Sequence, residues 1–349
     1  MKPPQAVGGE KRQIPGIIAS IDYKLLNSVQ THPQSSVFLQ GDKVYVPDYY
    51  LENPNFDISD GCVLFWKNDC NMGVVFQPEP KPAPSGIMIF GAGVDNWYHW
   101  LIEFLPLAHL SHDLPDKYHD LPLIVPEGVL KINQFKDSLD TVRGQRRVIS
   151  IPHRLHSFEK IIVIGKAVLE PIYLHKNHQI KAEYYSYHAT QLLAFRSRIL
   201  QNLGVLPRNI NKRVFLARSK TTRSYNQDEL ISIVKAHGFE IVYPERLSFK
   251  DQVELFHSAE FIIGASGAAF ANTLFCQERT RILSWIYSHS TGFCSFSNLA
   301  KVTGSELRCI SVEPTLTLNR KRDEYNASYT VPVDEFKNAL EMMLKSDEW

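Results

Sequence analysis

The chain, 349 residues long, reads as an α/β protein built mainly on parallel sheets. Two observations predict this. From Ile87 to Val142, and again from Lys212 to Phe275, short β-forming runs alternate with helical patterns; that order builds parallel sheets whose loops gather at one edge. Within the second stretch, the run Phe261-Ile262-Ile263 stops at Gly264-Ala265-Ser266-Gly267-Ala268-Ala269 and passes into a segment of small and apolar residues that suits a helix. A strand that turns into a helix through small residues leaves backbone N–H groups pointing at one spot, where they can hold phosphate. Glycine also serves tight turns that bind nothing, so by itself this turn fits an anion site or a plain connection equally well.

The elements follow in order. Residues 1–85 hold short β-formers, Lys43 to Val46, Val63 to Trp66 and Val74 to Gln77, and end in the proline-rich stretch Gln77 to Ser85. They read as a small β-rich lead-in. Residues 86–206 read as a first α/β domain. Its strands are Ile87 to Gly91, Leu123 to Val125, one near Val148, and Ile161 to Ile164; its helices start at Asn96, near Val129, and near Ala182. Pro207-Arg208-Asn209 marks the expected boundary. Residues 207–332 read as a second α/β domain, opening with the β-like run Lys212 to Ala217, which ends at Arg218, with Arg223 five residues on. Asn226 or Asp228 can cap the helix carrying Leu230, Ile231, Ile233 and Val234, and His237-Gly238 ends it. A strand at Phe239 to Tyr243 and a helix from Ser248 lead to the glycine-rich strand. Parallel topology then brings Arg218, Arg223 and the Gly267 turn to one sheet edge.

These residues carry a resemblance. Arg218, Arg223, Asn226, Gly264, Gly267, Ala268 and Asn272 resemble the pattern of the family 61 glycosyltransferases: an arginine after a strand, a second arginine before an Asn-Glu pair, and later G-x-H-G-A-x-x-x-N. Leu247 to Gly264 is similar to the family's intervening helix and strand. The chain departs from the pattern at Ser266, where the family has histidine, and at Gln227, where it has glutamate. Ser266 can still donate one hydrogen bond to a phosphate but carries no charge. A second block, Asn96-Trp97-Tyr98-His99-Trp100-Leu101-Ile102-Glu103-Phe104-Leu105-Pro106, resembles the family's N-x-x-H-W-x-x-D/E-x-L-P segment without departure. Read from helical geometry alone, Asn96, His99 and Glu103 form one polar stripe beside an apolar stripe of Trp97, Leu101, Phe104, Leu105 and Ala108. Pro106 is expected to kink or end this helix.

The resemblance implies two Rossmann-like domains facing across a cleft, the GT-B type of fold, with the C-terminal helix (Val333 to Leu344, within 333–349) returning to the first domain. It implies an inverting transferase that moves a sugar from a nucleotide-sugar donor to a hydroxyl acceptor, in bacterial surface polysaccharide synthesis or in glycan extension in eukaryotes, the bacterial setting being favoured. Arg218, Arg223, Asn226, Ser266, Gly267, Ala268 and Asn272 are then expected on the donor, Glu103 or His99 as the base (with Glu103 favoured), and Asn96 and Trp100 on the substrate. No cofactor is expected beyond the nucleotide-sugar co-substrate. The sequence contains no D-x-D, the carboxylate pair by which metal-dependent sugar transferases hold a diphosphate, so metal-free handling of the leaving phosphate by arginines is expected.

Composition sets outer bounds. The 38 basic and 37 acidic residues leave a net charge of +1, which gives no field that recommends a nucleic-acid partner. Cys62, Cys70, Cys276, Cys294 and Cys309 form no C-x-x-C pair and read as reduced thiols of a cytoplasmic protein. The N-terminus lacks the apolar core of a signal peptide and no run of 18 apolar residues occurs, so membrane contact is expected only at the surface. The pairs His109/His112, His153/His156 and His175/His178 have metal-like spacing but no supporting carboxylate or cysteine pattern. Tyr184, Tyr185 and Tyr187 can stack on a sugar but fit ordinary packing better, and Arg320-Lys321-Arg322 reads as a solvated loop. The alternative reading is a non-catalytic nucleotide- or sugar-binding homologue of the same fold. A short-chain epimerase is disfavoured, since G-x-x-G-x-x-G and Tyr-x-x-x-Lys do not occur together.

Overall fold

A computed structural model describes residues 1–3, 5–7, 21–46, 57–60, 62–67, 72–75, 78–170, 181–206, 210–219, 223–288, 290, 292–315, 327–345 and 349. The expected boundary at Pro207-Arg208-Asn209, the run Arg320-Lys321-Arg322, Cys70 and the pair His175/His178 lie outside them. The protein is mixed α/β. It divides into two compact units, residues 17–179 with 186–202, and residues 1–16 with 180–185 and 203–349.

The first unit contains β1 (Tyr23–Thr31), β2 (Phe38–Gln40), β3 (Lys43–Tyr45), β4 (Ile58–Ser59), β5 (Leu64–Lys67), β6 (Met72–Val75), β7 (Lys81–Ala83), β8 (Gly86–Met88), β9 (Leu123–Pro126), β10 (Val148–Ile151), β11 (His156–Ile164), β12 (Val168–Leu169) and β13 (Ser186–Tyr187). Its main sheet runs β10-β9-β8-β11-β1-β2-β3, with β7 also paired to β11. β9 is buried at all four positions, as its apolar run Leu123-Ile124-Val125 requires of a central parallel strand covered on both faces. The β-rich stretch read as a separate lead-in is divided. β1 pairs antiparallel with β11 from Tyr23↔Ile164 to Thr31↔His156, and so belongs to the main sheet, while β4, β5 and β6 form a small antiparallel sheet of their own. β1 escapes a periodicity reading because Leu25 and Leu26 are consecutive and Ser28 takes a left-handed φ of 52°, which breaks the alternation of faces.

The second unit contains β14 (Lys212–Leu216), β15 (Glu240–Val242), β16 (Ala259–Ala265), β17 (Arg281–Tyr287) and β18 (Glu306–Val312). They form an all-parallel sheet in the order β15-β14-β16-β17-β18. The chain leaves β14 towards one side and returns at β16 on the other. The carboxyl ends of β14 and β16 therefore flank a topological switch point, where ligands collect in open α/β sheets. Ser248 caps the helix Phe249–Ser258 by accepting from Asp251 N, as its sequence position suggests. The helix Gln227–Lys235 begins differently: Asn226 is its N-cap residue but makes no side-chain capping bond.

The C-terminal helix Val333–Lys345 does not return to the first unit. Phe336, Ala339, Leu340 and Met343 on its apolar face are buried in the same core as Phe215, Ile263, Leu283, Trp285 and Ile310, and burying that stripe is what fixes the helix in place. Residues 5–7 run beside β18, with Cys309 N donating to Gln5 O at 2.8 Å. Cys62, Cys276, Cys294 and Cys309 form no disulfide among the described residues. No helix among the described residues is long and apolar enough to cross a membrane.

Candidate active site

In the first unit the segment after Asn96 is a helix in three parts: Trp97–His99, a π-helical turn Trp100–Phe104, and Leu105–Leu110. Pro106 neither ends nor breaks it. The π turn shifts the ladder by one residue, so that Leu105 N donates to Trp100 O, and Pro106 then falls in the first turn of the resumed α-helix, where a missing N–H costs little. His99 and Glu103, four residues apart on one helical face, lie side by side: His99 Nδ1 is 2.5 Å from Glu103 Oε1.

Glu103 is buried, its side chain 2% exposed against 20% for His99. Both of its oxygens are taken, since Lys166 Nζ is 2.8 Å from Oε2. Lys166 is held from the other side by the ring of Phe104, 4.1 Å away. Burial opposes ionisation of Glu103, but Lys166 and His99 outweigh it and hold the carboxyl below its ordinary value. Burial likewise opposes the imidazolium, and the Glu103 carboxylate overrides it, raising His99 above the usual histidine value. With Nδ1–H donating to a carboxylate, the free nitrogen of neutral His99 is Nε2, an acceptor. This arrangement speaks against the favoured expectation of Glu103 as the base. Glu103 is enclosed and both its oxygens are occupied, whereas His99 is the more exposed member of the pair.

A second carboxylate, Glu170, completes the cluster. Tyr98 OH and Tyr187 OH donate to Glu170 Oε1 at 2.6 and 2.5 Å, and the two hydroxyls are 2.5 Å apart. Burial, and then the nearby Glu103, raise the Glu170 carboxyl. Among the described residues, His99, Glu103 and Glu170 offer ligand atoms within 4.8 Å of one another, a spacing a cation could use. The ammonium of Lys166 already supplies the positive charge on Glu103. Lys166 and Glu170 were not singled out from the sequence, because a lone lysine after a strand and a lone glutamate before a proline carry no local signature. Tyr187 was noted only as one of an aromatic group.

Two expected substrate residues are placed otherwise. Trp100 is fully buried: its Nε1 donates to Ser138 Oγ at 2.8 Å and its ring stacks on Phe135. It belongs to the core. Asn96 is exposed, but its side-chain oxygen is the helix cap, accepting from Tyr98 N at 2.9 Å.

In the second unit the switch point gathers most of the expected donor residues. Arg218, just beyond β14, reaches across to the end of β16, where its Nη2 donates to Ser266 O and, at 3.4 Å, to Ala265 O. A Cβ on Gly267 would stand 2.5 Å from Arg218 Nη2, so the guanidinium occupies the space that glycine leaves open. Gly267 caps the 3-10 helix Ala268–Phe275 in an extended conformation. The first bond of that helix is Phe270 N to Gly267 O, which leaves the N–H groups of Ala268 and Ala269 ahead of it. Arg223 takes a left-handed φ of 71°, unusual for a bulky residue and a mark of a position fixed by its surroundings. Burial raises Tyr287 and Tyr329, and both feel the opposing charge of Arg218 and of Arg223. The two guanidiniums thus share the same tyrosine neighbours.

The side chains of Asn226 and Asn272 at this edge are engaged by other parts of the protein. Asn226 accepts from Val331 N at 2.9 Å and donates to Val331 O at 3.1 Å, fastening the start of its helix to the segment before the C-terminal helix. Asn272 is fully buried and donates to Gln252 Oε1 at 2.9 Å. Gln227 grips the Arg218 peptide at both ends, its Oε1 accepting from Arg218 N at 2.7 Å and its Nε2 donating to Arg218 O at 3.0 Å. Tyr225 OH also donates to Gln227 Oε1, at 2.9 Å.

The family model described as Glycosyltransferase 61 matches residues 97–283. That is more than half of the chain, and it spans both clusters. The chain belongs to the glycosyltransferase 61 family. Membership implies glycosyl transfer, with a sugar donor and an acceptor as substrates. No curated protein matches the sequence.

Proposed function

We propose that this family 61 glycosyltransferase transfers a sugar with inversion from a nucleotide-sugar donor to a hydroxyl acceptor, using no metal. The observation that carries the reading is the Arg218 guanidinium laid across Gly267 at the switch point of the parallel sheet. Nη2 is held by backbone carbonyls. Nε and Nη1 make no hydrogen bond among the described residues, so these two donors stay available for phosphate. Arg223 and the N–H groups of Ala268 and Ala269 supply further positive potential.

His99 Nε2 serves as the base. It takes the proton of the acceptor hydroxyl as the oxygen bonds to the anomeric carbon. The bond from that carbon to the donor phosphate breaks, and its electron pair leaves on the phosphate oxygen, whose charge the arginines stabilise. Glu103 keeps the imidazole in the tautomer this step needs. Direct displacement by one activated hydroxyl inverts the anomeric centre. Metal independence is supported by two arginines at the phosphate side and by a lysine already in the carboxylate cluster. The role in surface polysaccharide synthesis comes with the family resemblance, and cysteines that form no disulfide among the described residues fit a reducing, cytoplasmic setting.

The test is calorimetric titration of the full chain with UDP, GDP, CDP and CMP compounds. One nucleotide class should bind, and Arg218→Ala should weaken it about tenfold or more, as expected for loss of a charge-assisted phosphate contact. Failure of every nucleotide to bind, or unchanged affinity in folded Arg218→Ala, overturns the donor site.

A further inference from the structure

We propose that Lys166 is a positioning residue of the base: by sharing the Glu103 carboxylate with His99, it lets Glu103 orient the imidazole without fixing it as imidazolium. This rests on the reading of His99 as base. A buried carboxylate is a strong partner for a histidine. If it is the sole charged neighbour it holds the proton on the ring, and a ring already protonated accepts nothing from a substrate hydroxyl. Glu103 instead divides its two oxygens, Oε1 to His99 at 2.5 Å and Oε2 to Lys166 at 2.8 Å. The ammonium offsets part of the carboxylate's pull while leaving the orienting hydrogen bond in place.

The groups around His99 make Lys166 the one that can do this. On its own helix His99 meets Tyr98, whose ring is edge-on at 5.5 Å, and Glu103. Glu170, following β12, adds a second acidic group on the same side, and Tyr187 of β13 reaches the cluster through Glu170. Glu103 and Glu170 both favour the protonated ring, whereas Lys166, in the connection between β11 and β12, opposes it. Lys166 is also held in place, between the Glu103 carboxylate and the face of Phe104, so its charge sits at a fixed distance and is partly shielded from solvent.

A merely structural lysine would neutralise Glu103 for stability and leave the titration of His99 where it is. Histidine-labelled full-length protein separates the two cases by NMR, with the His99 ring signal assigned by its loss in His99→Ala. Lys166→Gln keeps a donor to Oε2 but removes the charge. Its His99 midpoint should rise by about one pH unit or more, and Lys166→Arg should restore it to near the wild-type position. A midpoint that stays put or falls in Lys166→Gln overturns the proposal. If Lys166→Gln does not fold, the comparison moves to Glu103→Gln against Glu103→Gln/Lys166→Gln, which leaves no lone buried charge. There the double variant should titrate at higher pH, and equal midpoints overturn the proposal. The base reading fails separately: His99→Ala that retains full transfer activity defeats it whatever the Lys166 variants do to the midpoint, and an unmoved midpoint beside an inactive His99→Ala defeats only the role of Lys166.

Discussion

Gly267 and Arg218 are complementary in shape: the hydrogen of the glycine leaves the space that Arg218 Nη2 fills, 2.5 Å from where a Cβ would be. The backbone at Gly267 is extended, φ 174°, a conformation any residue can adopt, so the demand for glycine comes from the guanidinium alone. Gly267→Ala should therefore move the far end of a flexible side chain at little cost to folding while spoiling the phosphate site. Nucleotide affinity should fall about tenfold with the melting temperature within a few degrees of wild type. Unchanged affinity in calorimetry would separate Gly267 from donor binding.

His99 and Glu103 should fail differently when changed. His99→Ala removes the proposed base and should lower kcat by about a hundredfold or more, with nucleotide affinity unchanged because the proposed phosphate-binding residues belong to the other unit. Glu103→Gln should lower kcat through loss of orientation and also lower stability, since it leaves the largely buried ammonium of Lys166 without a counter-charge. Urea denaturation beside steady-state kinetics distinguishes them. A Glu103→Gln enzyme of full activity would show that His99 needs no orienting carboxylate.

Sequence legibility followed locality. The switch-point residues Arg218, Ser266, Gly267 and Ala268 could be placed because strand-helix alternation dictates where they meet, and His99 and Glu103 because they lie within one helix. Lys166 and Glu170 reach the same cluster from 63 and 67 positions beyond Glu103, through sheet topology that no local spacing encodes. Trp100 and Asn272 misled for the opposite reason. Each sits within a recognisable motif, but the motif holds residues that brace the site as well as residues that would touch a ligand, and only burial tells the two apart. The placement of β1 in the main sheet and of the C-terminal helix in the second unit likewise depends on partners distant in sequence.

Gln227 offers a test of bracing. A glutamate there could still accept from Arg218 N and Tyr225 OH, but it could not donate to Arg218 O and would set a carboxylate against that carbonyl. The lost hydrogen bond is worth about 1 kcal/mol, so Gln227→Glu should weaken nucleotide binding roughly fivefold, and Gln227→Leu by more. Nucleotide affinity equal to wild type in both variants would show that the Arg218 peptide needs no such clamp.

The pH dependence follows from opposite shifts within one pair. His99 is raised above its ordinary value of 6.5, so its contribution to stability is fully present below that value and is lost as the pH climbs through the higher folded one. Glu103 is lowered from 4.5, so its contribution is present above 4.5 and disappears as the pH falls through the lower folded value. The pair therefore stabilises the fold most between those two ordinary values. Wild type and His99→Ala should differ most in urea midpoint near about pH 5.5, with the difference shrinking towards about pH 9. Glu170, raised in the fold, also costs stability on the alkaline side, but it does so in both proteins and largely cancels in the comparison. Turnover runs the other way, because a base must be neutral to accept a proton: kcat/KM should climb over the interval in which the stabilising term of His99 fades. A stability difference that grows with pH would show that Glu103 does not raise the His99 midpoint, and a transfer rate that falls across the same interval would show that His99 is not the base.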